Sequence, residues 1–110
     1  MKISIVILNY NGKRHMERFL PSVVQHTTTA DTEIVIADNC STDDSIQFLK
    51  NTYPQLRLIQ LDKNYGFAGG YNKALAQIEA EYFILLNSDV EVTPDWVEHL
   101  EKVMDERPEV

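Results

Sequence analysis

The sequence alternates short apolar runs with segments whose apolar residues recur at helical spacing. Four runs, at 3–8, 33–37, 56–61 and 82–86, have the length and composition of buried strands. The segments between them carry apolar residues three and four positions apart, which is typical of helices that bury one face. This repeated β-α order predicts an α/β fold with a mostly parallel open sheet, Rossmann-like, with helices on both faces.

Local signals predict where the helices begin and break. Pro21 lies inside the first helical pattern and predicts a break or kink there. The S-x-x-D pattern at 41–44 resembles a capping box before a second helix, and the glycine-rich segment 66–70 opens a third. Thr93-Pro94 predicts the start of a fourth. The residues expected to face the core from these last three helices are Ile46, Leu49, Ala74, Leu75, Ile78, Trp96, Val97, Leu100, Val103 and Met104.

Length, net charge and cysteine content limit the kinds of molecule that this chain can be expected to bind. The 110 residues fit a single domain, 1–110, and the net charge of −7 argues against binding a nucleic acid. A nucleotide stays compatible with this charge, because a divalent cation can bridge carboxylates and phosphates. The single cysteine, Cys40, cannot form an internal disulfide, and no apolar stretch approaches the ~20 residues of a membrane span. We therefore expect a soluble, cytoplasmic chain.

Polar residues gather where the predicted strands end. In an open α/β sheet, ligands bind beyond the carboxyl ends of the strands, so these residues should share one edge. They are Asn9, Tyr10, Asn11, Asp38, Asn39, Asn64, Asn87, Ser88, Asp89 and Glu91.

Each cluster has two interpretations. Asp89 and Glu91 are suited to Mg²⁺ or Mn²⁺ beside a diphosphate, or they belong to a solvated turn. Asp38 can accept the N3–H of a uracil or thymine ring, or it caps the following turn. The segment 9–11 offers amides and an aromatic face to a base, although Asn11-Gly12 is also a turn dipeptide.

The glycine-rich segment 66–70 could present backbone N–H groups to an anion, and Gly70 is included among the candidate nucleotide-sugar-binding residues. It lacks the G-x-G-x-x-G spacing, and close packing of the backbone is the expected reason for two of its three glycines.

Four blocks taken together resemble glycosyltransferase family two, in its rhamnosyltransferase-like branch. They are VILNYNG at 6–12, IVIADNCSTD at 34–43, NYGFAGGYN at 64–72 and LLNSDVEV at 85–92, and their order and spacing match along nearly the whole chain. The resemblance implies the GT-A fold and inverting transfer of a hexosyl or rhamnosyl group from a UDP- or dTDP-sugar to a glycan or lipid-linked acceptor. It also implies a bacterial polysaccharide-building enzyme.

The resemblance assigns roles to individual residues. Asp38 would contact the base, Asn9 and Tyr10 would line the base and ribose pocket, and Asp89 would bind a divalent metal as part of the D-x-D motif. Asn87 stands at the first position of that motif, so a second charge is missing there, and Glu91 is a candidate to compensate.

The resemblance also sets expectations for the part of the enzyme beyond this segment. We expect the acceptor-binding region and the catalytic base to lie beyond Val110, and the 110-residue chain alone to be inactive. The resemblance is also compatible with peripheral association of the full-length protein with the inner face of the membrane.

Two other classes share parts of this pattern. A non-catalytic α/β module, nucleotide-binding or receiver-like, would explain the β-α order and the acidic strand ends. A receiver would carry an acidic pair after its first strand, where this chain has Asn9-Tyr10-Asn11. A nucleotidyltransferase would carry a glycine-rich basic loop at that point, and Asn11-Gly12-Lys13-Arg14 is only a faint match.

Overall fold

The computed structural model describes residues 3–27, 31–87 and 96–97. Strands and helices alternate along it as predicted. The elements are β1 (Ile3–Asn9), α1 (Lys13–His26), β2 (Thr32–Asp38), α2 (Ser45–Thr52), β3 (Arg57–Gln60), α3 (Gly66–Leu75) and β4 (Tyr82–Asn87). Trp96 and Val97 are helical, while the predicted helix start at Thr93-Pro94 and the inner positions Leu100, Val103 and Met104 lie outside the described residues.

The four strands form one parallel sheet in the order β3-β2-β1-β4. β1 lies between β2 and β4, with Asn9 opposite Asp38 on one side and Leu8 opposite Asn87 on the other. The strand order reverses beside β1, and a reversal of this kind opens a crevice at the carboxyl edge of a parallel sheet. The predicted mostly parallel α/β architecture is confirmed, and the ends of β1, β2 and β4 share one edge.

Alternating side chains of the strands build two apolar layers. Ile3, Ile5 and Ile7 of β1 pack on one face of the sheet with the inner residues of α1 and α2. Val6 of β1 packs on the other face with the inner residues of α3. β1 is therefore covered on both sides, as its continuous apolar run predicts, and helices flank both faces.

Helix α1 runs continuously from Lys13 to His26, so, of the break or kink predicted at Pro21, the break is wrong. Pro21 lies on the exposed side of the helix, whereas Met16, Leu20 and Val23 are at most 2% exposed against the sheet. Burial of this face on both sides of the proline holds the two halves of the helix together. The missing N–H costs one hydrogen bond on the side that faces solvent.

The predicted capping box at the start of α2 is also wrong. α2 begins at Ser45, with no side-chain hydrogen bond from its N-cap residue Asp44. The Ser41 hydroxyl instead donates to Asp38, and Asp43 Oδ1 accepts the N–H of Ser45 at 2.9 Å. The S-x-x-D pattern lies directly before the helix start, but its serine is hydrogen-bonded to Asn9 and Asp38 at the ends of β1 and β2 instead of capping the helix.

The inner faces of α2 and α3 differ slightly from the prediction. Leu49 and Ala74 are buried as expected, whereas Ile46 and Leu75 are only half-buried. Ile78 is buried but follows the end of α3 at Leu75.

Tyr71 of α3 joins β1 to β4 near their carboxyl ends. Its hydroxyl accepts the N–H of Leu8 at 3.4 Å and donates to the carbonyl oxygen of Leu86 at 3.1 Å. The side chain is only 4% exposed, and burial raises the pKa of its phenol, an effect that the N–H of Leu8 opposes. One hydroxyl thus satisfies a backbone donor and a backbone acceptor on neighbouring strands.

We predict that Tyr71→Phe lowers the free energy of unfolding by about 1–3 kcal/mol, because it leaves the partly buried N–H of Leu8 and carbonyl of Leu86 without this partner. Chemical denaturation monitored by circular dichroism measures this loss. Tyr53→Phe is the matched control, since Tyr53 packs at the edge of the α1–α2 layer and its hydroxyl has no hydrogen bond among the described residues. Equal stability of the two variants would contradict the bridging role.

Candidate functional site

A buried carboxylate lies at the centre of the polar edge. Asp38 ends β2 and is 2% exposed. Its Oδ1 accepts from Asn9 Nδ2 at 2.9 Å and from the Ser41 hydroxyl at 2.7 Å, while its Oδ2 accepts from the Ser41 backbone N–H at 2.8 Å. Three donors offset the cost of removing a charge from water. The turn-capping interpretation of Asp38 is thereby confirmed, and its contact with a base stays a prediction.

Asn9 supplies the first of these donors from the neighbouring strand. It is fully buried at the end of β1, and its Oδ1 accepts the N–H of Gly12 at 3.1 Å. Its Nδ2 also lies 3.2 Å from Ser41 Oγ. Asn9 therefore holds the turn that leads into α1 and the carboxylate of Asp38 at the same time.

Asn11 connects the turn after β1 to the turn after β2. Its Oδ1 accepts the N–H groups of Thr42 at 2.7 Å and Asp43 at 3.1 Å, and its own N–H donates to Ser41 Oγ at 2.9 Å. It adopts a left-handed φ of 51°, which asparagine tolerates better than most residues. Turn chemistry at Asn11 is confirmed, and it spans two turns rather than one.

Asn39 connects the same edge to the start of α3. It is 2% exposed, its Nδ2 donates to the Gly66 carbonyl at 3.0 Å, and its Oδ1 accepts the Tyr65 N–H at 2.9 Å. Asn64 Oδ1 accepts the N–H of Gly66 at 2.8 Å, so it shapes the same turn. Gly66 has a φ of 75°, a conformation that favours glycine.

Gly70 lies behind this turn and is buried in α3. A Cβ atom on Gly70 would approach Leu8 Cδ1 to 2.8 Å and Asn39 Nδ2 to 2.9 Å. A larger residue at this position would force the Leu8 and Asn39 side chains to shift, so the glycine lets α3 pack closely against β1 and the Asn39 amide. Any influence of Gly70 on a ligand would act through the position of Asn39.

Tyr10 and Cys40 are exposed at the mouth of the edge. Tyr10 is 48% exposed and presents an aromatic ring directly after β1. Cys40 has a left-handed φ of 63°, and its Sγ donates to the carbonyl of Asp62 at 3.8 Å. Left-handed backbone at non-glycine residues costs energy, and among the described residues it occurs at Asn11 and Cys40 on adjoining turns of this edge and at Asp31 just before β2.

Two carboxyl groups at the edge have lowered pKa values. Partial burial acts to raise the pKa of Asp43, but hydrogen bonds that include the N–H groups of Ser45 and Lys13 lower it overall. The hydroxyl of Tyr65 donates to Asp62, which lowers the pKa of that carboxyl and raises the pKa of the phenol. Both carboxylates are therefore ionised at neutral pH, which adds negative charge beside the turns.

The structure brings together Asn9, Asn11, Asp38 and Asn39, with Tyr10 and Asn64 at the margin of the same cluster. Asn87 ends β4, two strands away from Asp38. Ser88, Asp89 and Glu91 lie outside the described residues. Within the described ranges, no group of three or more His, Cys, Asp or Glu side chains is placed to hold a metal ion.

The site contains residues that the sequence pattern did not identify as site residues. Ser41 and Thr42 lie on the turn after β2, and Tyr71 connects the two strands of the crevice. Serine three positions after a strand-ending aspartate is a recognisable local signal, because that spacing closes an Asx-type turn. Nothing local signals Tyr71, whose partners are 63 and 15 residues away in sequence.

A parallel sheet with polar side chains gathered at its carboxyl edge, beside the reversal of strand order, defines an α/β domain of the ligand-binding kind. Residues 4–110 match the family model described as "Glycosyl transferase family 2". The chain therefore belongs to glycosyltransferase family 2. The match assigns it to the glycosyltransferases rather than to the receiver-like modules or the nucleotidyltransferases.

Individual relatives agree with this assignment. The chain is 30% identical to the poly(ribitol-phosphate) beta-N-acetylglucosaminyltransferase TarS of Staphylococcus aureus, across 96% of this chain and 19% of that protein. It is 28% identical to the N-acetylglucosaminyl-diphospho-decaprenol L-rhamnosyltransferase of Mycobacterium tuberculosis, across 89% of this chain and 35% of that protein. The chain thus spans about a fifth to a third of the length of these relatives.

A solved structure gives the same result for the fold. The crystal structure of S. aureus TarS 1–349 in complex with UDP-GlcNAc superposes with a TM-score of 0.84 at 27% identity, covering 98% of this chain and 32% of that one. The GT-A fold expected from the sequence is confirmed. No helix in the described part of the chain is long and apolar enough to cross a membrane.

We predict that Asn9→Asp makes stability fall as pH rises. The new carboxylate would lie beside Asp38 in a buried position, and two such groups share a proton, so the pKa of the pair rises above the unfolded value of about 4. A raised folded-state pKa gives stability that is present below the unfolded pKa and lost as pH rises through the folded pKa. The loss is up to about 1.4 kcal/mol for each pH unit that separates the two pKa values.

Thermal unfolding between pH 4 and pH 7 measures this effect. Asn9→Ala serves as the control, because it removes the same hydrogen bonds without adding a charge, and its loss of stability should vary much less with pH. A pH profile for Asn9→Asp that parallels the one for Asn9→Ala would show that the two side chains do not interact as described.

Proposed function

We propose that this chain is the donor-binding part of an inverting glycosyltransferase that takes a UDP- or dTDP-sugar. The observation that carries the proposal is the buried Asp38 carboxylate, held by three hydrogen bonds at the carboxyl edge of the sheet. A fixed carboxylate at the edge where α/β sheets bind ligands is suited to recognising the N–H of a nucleobase. The complex of a 27% identical relative with UDP-GlcNAc supports the same class of ligand.

The base and the diphosphate would bind at opposite ends of the crevice. Asp38 and Tyr10 would contact the base and ribose, with Asn9, Asn11, Asn39, Asn64 and Gly70 shaping the pocket. β2 and β4 are separated by one strand, so their ends are about 10 Å apart. A nucleoside diphosphate can bridge such a gap, with its base at β2 and its phosphates at β4.

Residues after β4 would hold the phosphate end. Asn87 and Ser88 would hydrogen-bond the ribose or phosphates, and Asp89 with Glu91 would bind Mn²⁺ or Mg²⁺, as carboxylates commonly do beside phosphates. When bound, such a metal would supply positive charge beside the diphosphate leaving group. Asn87 in place of the first aspartate of D-x-D leaves Asp89 as the principal charge at this end.

The remaining steps need parts of the enzyme beyond this segment. Inverting transfer requires a base that deprotonates the acceptor hydroxyl. We expect that base, together with the acceptor region, after Val110, and we expect the 110-residue chain alone to bind donor without transferring sugar. The transferred group would be hexosyl or rhamnosyl and the acceptor a glycan or a lipid-linked glycan. The setting would be bacterial polysaccharide synthesis in the cytoplasm, with the full-length enzyme at the inner face of the membrane.

We predict that the chain binds UDP or dTDP and that Mn²⁺ strengthens the binding. Isothermal titration calorimetry with each nucleotide, with and without Mn²⁺, measures both effects. Asp89→Ala should remove the increase caused by Mn²⁺ while the metal-free affinity and the unfolding midpoint stay the same. Absence of binding under all four conditions would reject the proposed function, and an unchanged Mn²⁺ effect in Asp89→Ala would reject that residue as a metal ligand.

We predict that Tyr10→Ala weakens nucleotide binding about 10-fold, since stacking of a base on an aromatic ring contributes on the order of 1–3 kcal/mol. Tyr10→Phe keeps the ring and should bind like the wild type. Phe83→Ala is a second control, because Phe83 is 39% exposed and is in register with Ser4 near the amino end of the sheet, away from the proposed pocket. Calorimetry with the preferred nucleotide compares the variants, and equal affinities for Tyr10→Ala and Phe83→Ala would contradict stacking.

A further inference from the structure

We propose that Ser41 is the positioning residue of the donor site: it fixes the Asp38 carboxylate so that one defined acceptor position remains for the nucleobase. This inference rests on the proposed function. It adds a residue whose effect should be on selectivity between bases and not only on stability.

The Ser41 hydroxyl has no hydrogen-bonding capacity left over. It donates its single proton to Asp38 Oδ1 at 2.7 Å, and its oxygen accepts from the Asn11 N–H at 2.9 Å and from Asn9 Nδ2 at 3.2 Å. A hydroxyl offers one donor and two acceptor positions, so all three are used. The direction of its proton is therefore determined by its surroundings, and the proton points at the carboxylate.

Counting donors on Asp38 shows what is left for a ligand. An ionised carboxylate offers about four acceptor positions, two on each oxygen. Oδ1 receives Asn9 Nδ2 and the Ser41 hydroxyl, and Oδ2 receives the Ser41 backbone N–H. Among the described residues, the one acceptor position without a donor is on Oδ2. Ser41 contributes two of the three bonds and so determines where this position faces.

A single fixed acceptor discriminates between bases according to whether the facing ring nitrogen is a hydrogen-bond donor or an acceptor. Uracil, thymine and guanine carry a ring N–H on the pairing edge, whereas cytosine carries an unprotonated ring nitrogen at the corresponding place. A donor left without its acceptor loses the hydrogen bond, and two facing acceptors repel one another. A carboxylate free to rotate would discriminate less well, which separates positioning from mere support of the fold.

The test compares two serines with the same chemistry at opposite ends of one strand pair. Ser41→Ala removes a hydroxyl that donates to Asp38 at the carboxyl edge. Ser4→Ala removes a buried hydroxyl that donates to Glu33 Oε1 at 2.6 Å near the amino end of β1 and β2. Calorimetry measures the affinities for UDP, dTDP, GDP and CDP, and denaturation confirms that each variant is folded.

We expect Ser41→Ala to weaken the best-bound of UDP, dTDP and GDP about 10-fold while CDP changes much less, so that selectivity falls. Ser4→Ala should lose stability and keep wild-type selectivity. Ser41→Thr, which retains the hydroxyl, should keep the wild-type selectivity between nucleotides. If Ser41→Ala is unfolded, Ser41→Cys replaces it, because a thiol is a weak donor and should lower selectivity in the same direction.

The possible results separate this inference from the proposed function. Wild-type protein that binds no nucleotide would overturn both. Nucleotide binding by the wild type, with selectivity over CDP unchanged in Ser41→Ala, would overturn the positioning role alone. An equal loss of affinity for all four nucleotides in Ser41→Ala would assign the residue a purely structural role and would also overturn the inference.

Discussion

The site depends on a charge that is buried at the end of a strand. Asp38 is 2% exposed, and burial of a carboxylate without hydrogen-bond partners is costly. Its donors come from two directions, Asn9 on the neighbouring strand and Ser41 on its own turn. The need to satisfy one carboxylate therefore fixes the relative positions of two strand ends and the turn between β2 and α2.

That constraint extends to the other face of the sheet through Asn39. Its backbone N–H donates to the carbonyl of Asn9 at 2.8 Å, and its side chain holds the turn at Tyr65 and Gly66. Gly70 lets α3 approach closely enough for these bonds to form. α3 in turn carries Tyr71, whose hydroxyl bridges β1 and β4. The ends of the strands that border the crevice are thus joined by these hydrogen bonds together with the close packing of α3.

The sequence predicted the elements better than it predicted the partners of their polar side chains. Periodicity identifies strands and helices because burial of alternate or helical positions repeats along the chain, and that pattern found β1 to β4 in order. The break expected from Pro21 does not occur, because burial of one face of α1 outweighs the loss of a hydrogen bond. The capping-box pattern failed at Ser41, because a hydroxyl that could cap a helix is hydrogen-bonded instead to Asn9, Asn11 and Asp38. Such competition is decided by tertiary distances, which spacing along the chain does not contain.

The polar edge divides its residues between maintaining shape and contacting a ligand. Asn9, Asn11 and Asn39 each have both side-chain groups hydrogen-bonded to other parts of the protein, so each contributes to the shape of this edge. In the proposed function, direct contact with a base would involve the acceptor position on Asp38 Oδ2 that has no donor among the described residues, and the exposed ring of Tyr10. Substitution of Asn9, Asn11 or Asn39 should mainly lower the stability of the fold. Substitution of Tyr10 should lower the affinity for nucleotide while the protein stays folded. Such a division would let this scaffold bind a different nucleotide sugar through changes at a few exposed positions. The buried carboxylate and the groups that donate hydrogen bonds to it would stay the same.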